Sequence, residues 1–326
     1  MELRSPTKLR QLAQLPRPLL AWYDQNRRDL PWRKTRDPYR IWVSEIMLQQ
    51  TRVAAVLPRY EKFLGRFPTV QKLASARVTS VLAEWSGLGY YRRARNLHAA
   101  AKVIVRDHDG IFPRHSGVWH KLPGIGRYTA AAIASIAFGE PIAVLDGNVD
   151  RVLRRVLGSH TVRESWNAAQ HILDRKRPGD FNQAMMELGA TICVPGEPLC
   201  SKCPIGTFCR TRGRGEARTQ KPRQLKLSTS VALAIKGDSV LLVQRAAGEG
   251  LMPEMWELPA IDSSLSRSEV LFTVRHSITV TDYLVKVVVQ PEGATPNSKW
   301  VRRAGLDKIP LTGLTKKILR KAKIIE

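Results

Sequence analysis

Cysteine is scarce in this chain of 326 residues: Cys193, Cys200, Cys203 and Cys209 are all it has. They share one short window, which excludes a disulfide framework spread over the fold. Long apolar runs are lacking as well. No stretch approaches the roughly 18 apolar residues of a membrane-spanning helix. The first residues, MELRSPTKLRQLAQ, hold no apolar core of the secretory kind and read as a mildly basic, flexible arm that touches phosphates. Acidic residues are few: 28 Asp and Glu stand against 53 Lys and Arg, a formal charge of +25. An excess of that size needs a polyanion, nucleic acid first, an acidic membrane surface or ribosomal RNA next. Apolar residues, at 43%, suffice for a packed core, and the length suits two domains or one large one.

From about Pro18 to Arg210 the pattern is helical. Asp37-Pro38 is a helix start, with a side-chain oxygen to cap the first turn and a proline suited to the first helical position. No breaker follows from Tyr39 to Val56. Val149, Val152, Leu153, Val156 and Leu157 recur at helical spacing, and Gly158 ends that helix. Arg151, Arg154 and Arg155 fall on its other face, which reads as solvated rather than DNA-binding. After Cys209 the character changes: residues 210–226 are basic, contain glycine and read as a linker. Beyond it, Val231–Ile235 and Val240–Val243 flank Lys236-Gly-Asp-Ser239 as a hairpin, and Val285–Val289 reads as a strand. The last twenty residues, with Leu311, Leu314, Ile318 and Leu319 among lysines, read as an amphipathic helix. The expectation is an all-α body and a smaller α+β domain.

Three constellations carry chemistry. The cysteines are spaced C-x6-C-x2-C-x5-C. Four thiolates on a compact loop suit a tetrahedral zinc or an iron–sulfur cubane, and the spacing leaves both open. Leu122-Pro-Gly-Ile-Gly126 leads into a helix at Arg127. Two glycines around one apolar residue make a tight turn with outward N–H groups, and the helix N-terminus adds positive potential, so phosphate is gripped whatever the base sequence. Two carboxylates sit in unusual surroundings. Glu45 lies in Ile41-Trp-Val-Ser-Glu-Ile-Met-Leu48, where burial keeps a carboxyl protonated. Asp146 lies in Leu145-Asp-Gly-Asn-Val149, just before a helix whose N-terminal field favours the ionised form. Hydrolysis of an N-glycosidic bond asks for such a pair: one group protonates the departing base and the other offsets the sugar cation.

Taken together these segments resemble the MutY family of adenine DNA glycosylases, among the helix-hairpin-helix, iron–sulfur base-excision glycosylases. WVSEIMLQQTRV, from Trp42 to Val53, is similar to that family's catalytic-acid segment, LDGNVDRVL, from Leu145 to Leu153, to the segment with its essential aspartate, and LPGIGRYTA to its hairpin. The likeness runs from Pro18 to Lys321. It implies that Glu45 protonates adenine at N7, that Asp146 stabilises or transiently bonds the sugar cation and guides water, and that Tyr128 and Asn148 support this chemistry. Gly124 and Gly126 would grip phosphate, and Arg28, Leu30 and Trp32 would line the adenine pocket. Gln50, Thr51 and the Gly87-Leu-Gly-Tyr-Tyr91 loop would wedge into the duplex, with Leu88 and Tyr90 beside the guanine lesion while adenine is flipped out. The cysteines would hold one 4Fe-4S cluster. Residues 194–199, between the first two, carry no basic residue, which leaves Lys202 and Arg210 as the nearby cations. The partner would be double-stranded DNA with A:8-oxoguanine or A:G mispairs, bound by a monomer in the bacterial cytoplasm and not at a membrane.

Trp256-Glu-Leu-Pro259 and the hairpin before it resemble the MutT-like (Nudix-like) domain that ends such proteins. The dense glutamate run of a nucleotide hydrolase is missing, since AIDSSLSRSEV follows Pro259. The domain is therefore expected to read the lesion. Val274-Arg-His-Ser277 fits the family, whereas Ile278-Thr-Val280 stands where many members have Phe-Ser-His; Thr279 keeps the hydroxyl. The expected division is a glycosylase body over 1–210 with its cluster loop at 193–209, a basic linker over 211–227, and a lesion-recognition domain over 228–326. Tyr128 occupies the place of the lysine that attacks the sugar in the endonuclease III branch, and a phenol forms no Schiff base, which disfavours a strand-cleaving lyase. Intact Glu45 and Asp146 disfavour a catalytically silent DNA- or RNA-binding protein.

Overall fold

In the computed structural model, which describes residues 12–158, 161–213, 224–246, 248–261, 269–278, 280–289 and 297–325, helix starts follow the capping chemistry of the sequence. The helices are α1 (Pro16–Asn26), α2 (Pro38–Leu48), α3 (Val53–Arg66), α4 (Val70–Ser75), α5 (Val78–Glu84), α6 (Arg92–Asp107), α7 (Ser116–Trp119), α8 (Arg127–Phe138), α9 (Gly147–Leu157), α10 (Val162–Ile172), α11 (Pro178–Thr191) and α12 (Gly313–Lys321). Asp37 accepts the Tyr39 N–H at 2.9 Å and Pro38 opens α2. Asp146 caps α9, Thr161 and Glu164 form a capping box on α10, and Thr312 caps α12. Residues 1–11 of the basic arm, residues 214–223 of the linker, and Thr279 lie outside the described residues.

The unbroken run expected from Tyr39 to Val56 is not formed. α2 stops at Leu48, the chain turns at Gln50 with φ of 52°, and α3 starts at Val53. Neither glycine nor proline marks the break. A left-handed backbone at a non-glycine residue makes it, at a local cost on the order of 1–3 kcal/mol.

Contacts divide the chain into two compact units, one of Met1–Gln50, Thr69–Gln71 and Ala99–Thr219, the other of Thr51–Pro68, Lys72–His98 and Gln220–Glu326. In the first, α11 packs on α1, α8 and α9, and α2 packs on α8. Trp42, Trp119, Phe112 and Tyr39 form an aromatic cluster against α2, with Trp42 and Trp119 edge to face at 5.7 Å. α11 comes so close to the start of α9 that a Cβ at Gly189 would lie 2.7 Å from the Asn148 Cβ. Glycine is required there by space, and the approach fixes the segment that carries Asp146.

In the second unit every strand among the described residues follows Gln224. The strands are β1 (Leu225–Leu233), β2 (Ile235–Lys236), β3 (Ser239–Gln244), β4 (Trp256–Glu257), β5 (Ala260–Ile261), β6 (Val270–Ile278), β7 (Thr281–Val289) and β8 (Ser298–Arg302). One sheet has the order β5-β1-β7-β6, with β1 and β7 parallel; in the other β3 pairs with β2, β4 and β8. The expected hairpin exists, but its first strand is β2, which turns at Gly237-Asp238 into β3. β1 leaves for the other sheet, because Val231 and Leu233 bury against Val285 and Val287 in the core that α12 closes with Ile318 and Leu319. Leu311 precedes α12 and bridges to Trp256. The architecture is thus a helical body and a sheet-containing C-terminal region. No helix among the described residues is long and apolar enough to cross a membrane.

Candidate active site

Glu45 lies on α2 between buried Ser44 and Ile46 and is itself buried. Its Oε2 accepts the Tyr128 hydroxyl at 3.0 Å. Burial pushes the Glu45 carboxyl up to about 7; the phenol opposes the shift, and the charge of Asp146 adds to it. Tyr128 is the second residue of α8, and its hydroxyl also lies 2.9 Å from the Met186 sulfur. Burial and the two carboxylates raise its pKa well above the ordinary tyrosine value, so it stays a protonated donor.

Asp146 receives the Val149 N–H on Oδ1 at 2.7 Å and the Asn148 amide on Oδ2 at 3.1 Å. Asn148 is in turn oriented by Arg151, whose Nη2 donates to its oxygen at 2.8 Å. The sequence suggests a carboxyl shifted down by the helix N-terminus, and the structure corrects this. Burial raises Asp146 above the ordinary carboxylate value, and the Val149 and Asn148 donors only moderate the rise. Both carboxyls are therefore raised. They differ in their donors: Glu45 has one phenol, whereas Asp146 has a set of N–H groups built to hold an anion.

Leu30 and Trp32 are buried beside the short 3₁₀ turn Pro31–Arg33. Arg28 grips Glu187 on α11: Nε donates to Oε1 at 2.8 Å and Nη2 to Oε2 at 2.7 Å, and Arg33 adds a third bond at 2.7 Å. Burial would raise the Glu187 carboxyl, but the two guanidiniums outweigh it and hold it at about 2. The sequence reading missed Glu187; its signal was a lone acid in the apolar run Ala184-Met-Met-Glu-Leu188. Because its folded pKa is depressed, its stabilisation is present above the ordinary value near 4.5 and is lost as pH falls through about 2. Glu187→Gln is expected to lower stability at pH 7 by roughly 3 kcal/mol, and to lose less than the parent on acidification. Urea midpoints at pH 7 and pH 3 measure both.

The hairpin glycines are exposed. Gly124, with φ of 72°, and Gly126, the cap of α8, face solvent, while Leu122 and Ile125 anchor the turn inside. The Arg127 guanidinium is stacked 3.8 Å over the Trp166 ring. Gln50 holds the turn after α2. In the other unit, Thr51 and the 87–91 loop are joined by Arg93, another residue the sequence reading missed. Its Nη2 donates to Thr51 Oγ1 at 2.9 Å, to the Leu88 oxygen at 3.0 Å and to the Gly89 oxygen at 3.1 Å. Burial pushes Arg93 down to about 10. Leu88 is 5% exposed and Tyr90 50%, so the loop presents the tyrosine and tucks the leucine in.

All four cysteines line one cavity of about 330 Å³, with Val152, Val156, Leu188 and Ile205 among its apolar walls. Among the described residues no three His, Cys, Asp or Glu side chains close on a single ion. The cavity that the four cysteines share is larger than one ion fills, which fits a multi-atom cluster. Burial and the other three thiols push Cys203 up to about 11, a repulsion that a cationic metal centre would reverse. Arg155 is buried and donates to Cys193 Sγ at 3.2 Å and to the Val194 oxygen at 2.9 Å. Arg151 donates to the Cys193 oxygen at 2.9 Å and the Gly189 oxygen at 2.7 Å. The arginine face of α9 is thus not the solvated face expected. Arg154 alone of the three is exposed, paired with Asp150 at 2.9 Å. The other two point at the cysteine loop because its carbonyls and sulfurs need donors.

Two buried carboxyls, an exposed glycine hairpin that opens α8 and a four-cysteine loop lie on one helical body. Residues 43–178 match the HhH-GPD superfamily of base excision DNA repair proteins. The chain is 50% identical over 214 residues to the adenine DNA glycosylase of Homo sapiens, covering 61% of this chain and 39% of that protein. To the adenine DNA glycosylase of Mus musculus it is 42% identical over 310 residues, covering 74% and 59%. A solved thermostable thymine-DNA glycosylase is 31% identical with a TM-score of 0.57, covering 63% of this chain and 96% of that one. The chain spans 39% of the human relative and 59% of the mouse one. It belongs to the HhH-GPD superfamily of base excision DNA repair proteins.

Proposed function

We propose that this protein is a monofunctional adenine DNA glycosylase of base-excision repair, acting on double-stranded DNA in which adenine faces 8-oxoguanine or guanine. The observation that carries the reading is the pairing of a buried Glu45 carboxyl, bonded to Tyr128 and raised by burial, with an Asp146 cradled by N–H donors. Glu45 gives its proton to adenine N7. The bond from N9 to the sugar then breaks, and its electron pair stays with the neutral adenine. Asp146 offsets the positive charge left on the sugar and orients a water, whose oxygen bonds to the sugar carbon while the proton it releases returns to the ionised Glu45, leaving the abasic site. Tyr128 fixes the Glu45 carboxyl, and Asn148 fixes Asp146. Arg28, Leu30 and Trp32 line the adenine pocket, the hairpin at Gly124 and Gly126 holds a phosphate, and Gln50, Thr51, Leu88 and Tyr90 wedge the duplex.

The four cysteines would hold a 4Fe-4S cluster whose contribution is structural, ordering residues 193–209 against α9. Residues 228–326 would be a MutT-like lesion reader in which Thr279 supplies the discriminating hydroxyl, after a glycosylase body over 1–210 and a linker over 211–227. The same reading makes the protein a cytoplasmic, DNA-associated monomer. With an end-labelled A:8-oxoguanine duplex, strands should break at the adenine only after hot alkali, and borohydride should trap no covalent complex. Breakage without alkali, with a trapped adduct, would mean lyase chemistry and another nucleophile than water.

A further inference from the structure

Ser86 and Tyr91 bracket the four residues Gly87 to Tyr90. Both hydroxyls are buried, and both donate to one acceptor distant in the chain, the Leu311 carbonyl, Ser86 Oγ at 3.1 Å and Tyr91 OH at 3.4 Å. Leu311 is held in place itself. The Trp256 N–H donates to the Pro310 oxygen at 2.8 Å and the Thr312 N–H to the Trp256 oxygen at 2.9 Å, which ties it to β4, and Thr312 caps α12. A second tie lies one turn on. In the first turn of α6, Arg95 donates to the Pro253 oxygen at 2.7 Å and pairs with Glu254 at 2.6 Å. The Glu254 N–H donates to the Arg245 oxygen at 3.0 Å, which fixes that turn to the end of β3. Between these ties the loop has positive φ at Gly87, Gly89 and Tyr90. Tyr90 does not favour such a backbone, so the surroundings must hold it.

We propose that Ser86, Tyr91 and Arg95 are positioning residues for lesion discrimination: through the Leu311 carbonyl and the 253–254 turn, the sheet of β2, β3, β4 and β8 sets the conformation of the Leu88–Tyr90 wedge. This rests on the roles given above to the wedge and the C-terminal region. Loss of these bonds loosens the wedge where lesion contacts would tighten it, and leaves Glu45 and Asp146 untouched.

The test uses the full chain as Ser86→Ala/Tyr91→Phe, Arg95→Met and Arg95→Lys. The double variant should lower the ratio of single-turnover rates, A:8-oxoguanine over A:G, by roughly tenfold, the scale of two buried hydrogen bonds. The rate on A:G should fall by much less than the rate on A:8-oxoguanine, so that the ratio carries the effect. Arg95→Met should lower the ratio and Arg95→Lys should restore most of it, because the lysine keeps the Glu254 pair. Hydrogen exchange of a peptide covering 86–92 in the free protein should quicken about tenfold in the double variant, with 225–244 unchanged. A ratio unchanged in the double variant, or both rates falling together, overturns the proposal. A parent chain that releases no adenine from either duplex overturns the enzymatic reading instead, and exchange at 86–92 then decides the anchoring by itself.

Discussion

Asp146→Asn is expected to bind an A:8-oxoguanine duplex within a few-fold of the parent and to release adenine at least on the order of 10³-fold more slowly. The geometry gives both halves. The substituted side chain keeps an oxygen for the Val149 N–H, so α9 stays capped and the fold persists. Its amide nitrogen then faces the Asn148 amide donor, which Arg151 holds in orientation. Donor opposes donor, and melting should show a loss of about 1–2 kcal/mol. More important, no negative charge remains to offset the sugar cation. Glu45→Gln removes the proton instead. Its rate should fall by roughly 10²–10⁴-fold, the usual worth of a positioned general acid, while binding is retained. Electrophoretic binding with single-turnover excision on the same preparations separates the roles. Parent-like adenine release by either variant would remove that residue from the mechanism.

The cysteine cavity carries the second large effect. Purified protein should be yellow-brown, with about four irons and four sulfides per chain. Cys203→Ser should yield little folded protein. The reason lies in the arginines. Arg155 is buried with the Cys193 sulfur and the Val194 carbonyl as acceptors, and Arg151 is tied to the Cys193 and Gly189 carbonyls. Metal-bound thiolates would supply the negative charge that Arg155 needs. Without it the buried guanidinium faces a neutral thiol at Cys193 in place of a thiolate, which is destabilising. The damage would reach Asp146 through Arg151 and Asn148. Stoichiometric zinc and no visible absorption would contradict the cluster assignment.

Much of this site was legible in the sequence because local chemistry fixes it. Asp37-Pro38, the hairpin glycines and Asp146 before Gly147 each act within one helical turn, and each does in the fold what its neighbours imply. Glu45 was legible because a carboxyl amid Trp42, Val43, Ile46 and Met47 has nowhere to ionise. What stayed hidden depends on partners far along the chain. Glu187 gains its meaning from Arg28 and Arg33, and the arginine face of α9 from the loop after Cys193. The β1–β7 pairing joins residues more than fifty positions apart in parallel, which no local pattern encodes. The raised Asp146 is a matter of degree: the capping bonds were foreseeable, the burial that outweighs them was not.

Adenine release needs a protonated Glu45 and an ionised Asp146 at once in this mechanism. The second-order rate of release from an A:8-oxoguanine duplex across pH 4 to 9 reports both groups of the free enzyme. The profile should be a bell. Its acid limb rises as Asp146 ionises, at a pH raised by burial from the ordinary aspartate value, and its alkaline limb falls through about 7 as Glu45 loses its proton. Glu45→Gln should keep the acid limb and lose the alkaline one. A parent profile that stays flat, or keeps rising above pH 7, would contradict the assignment of Glu45 as the acid.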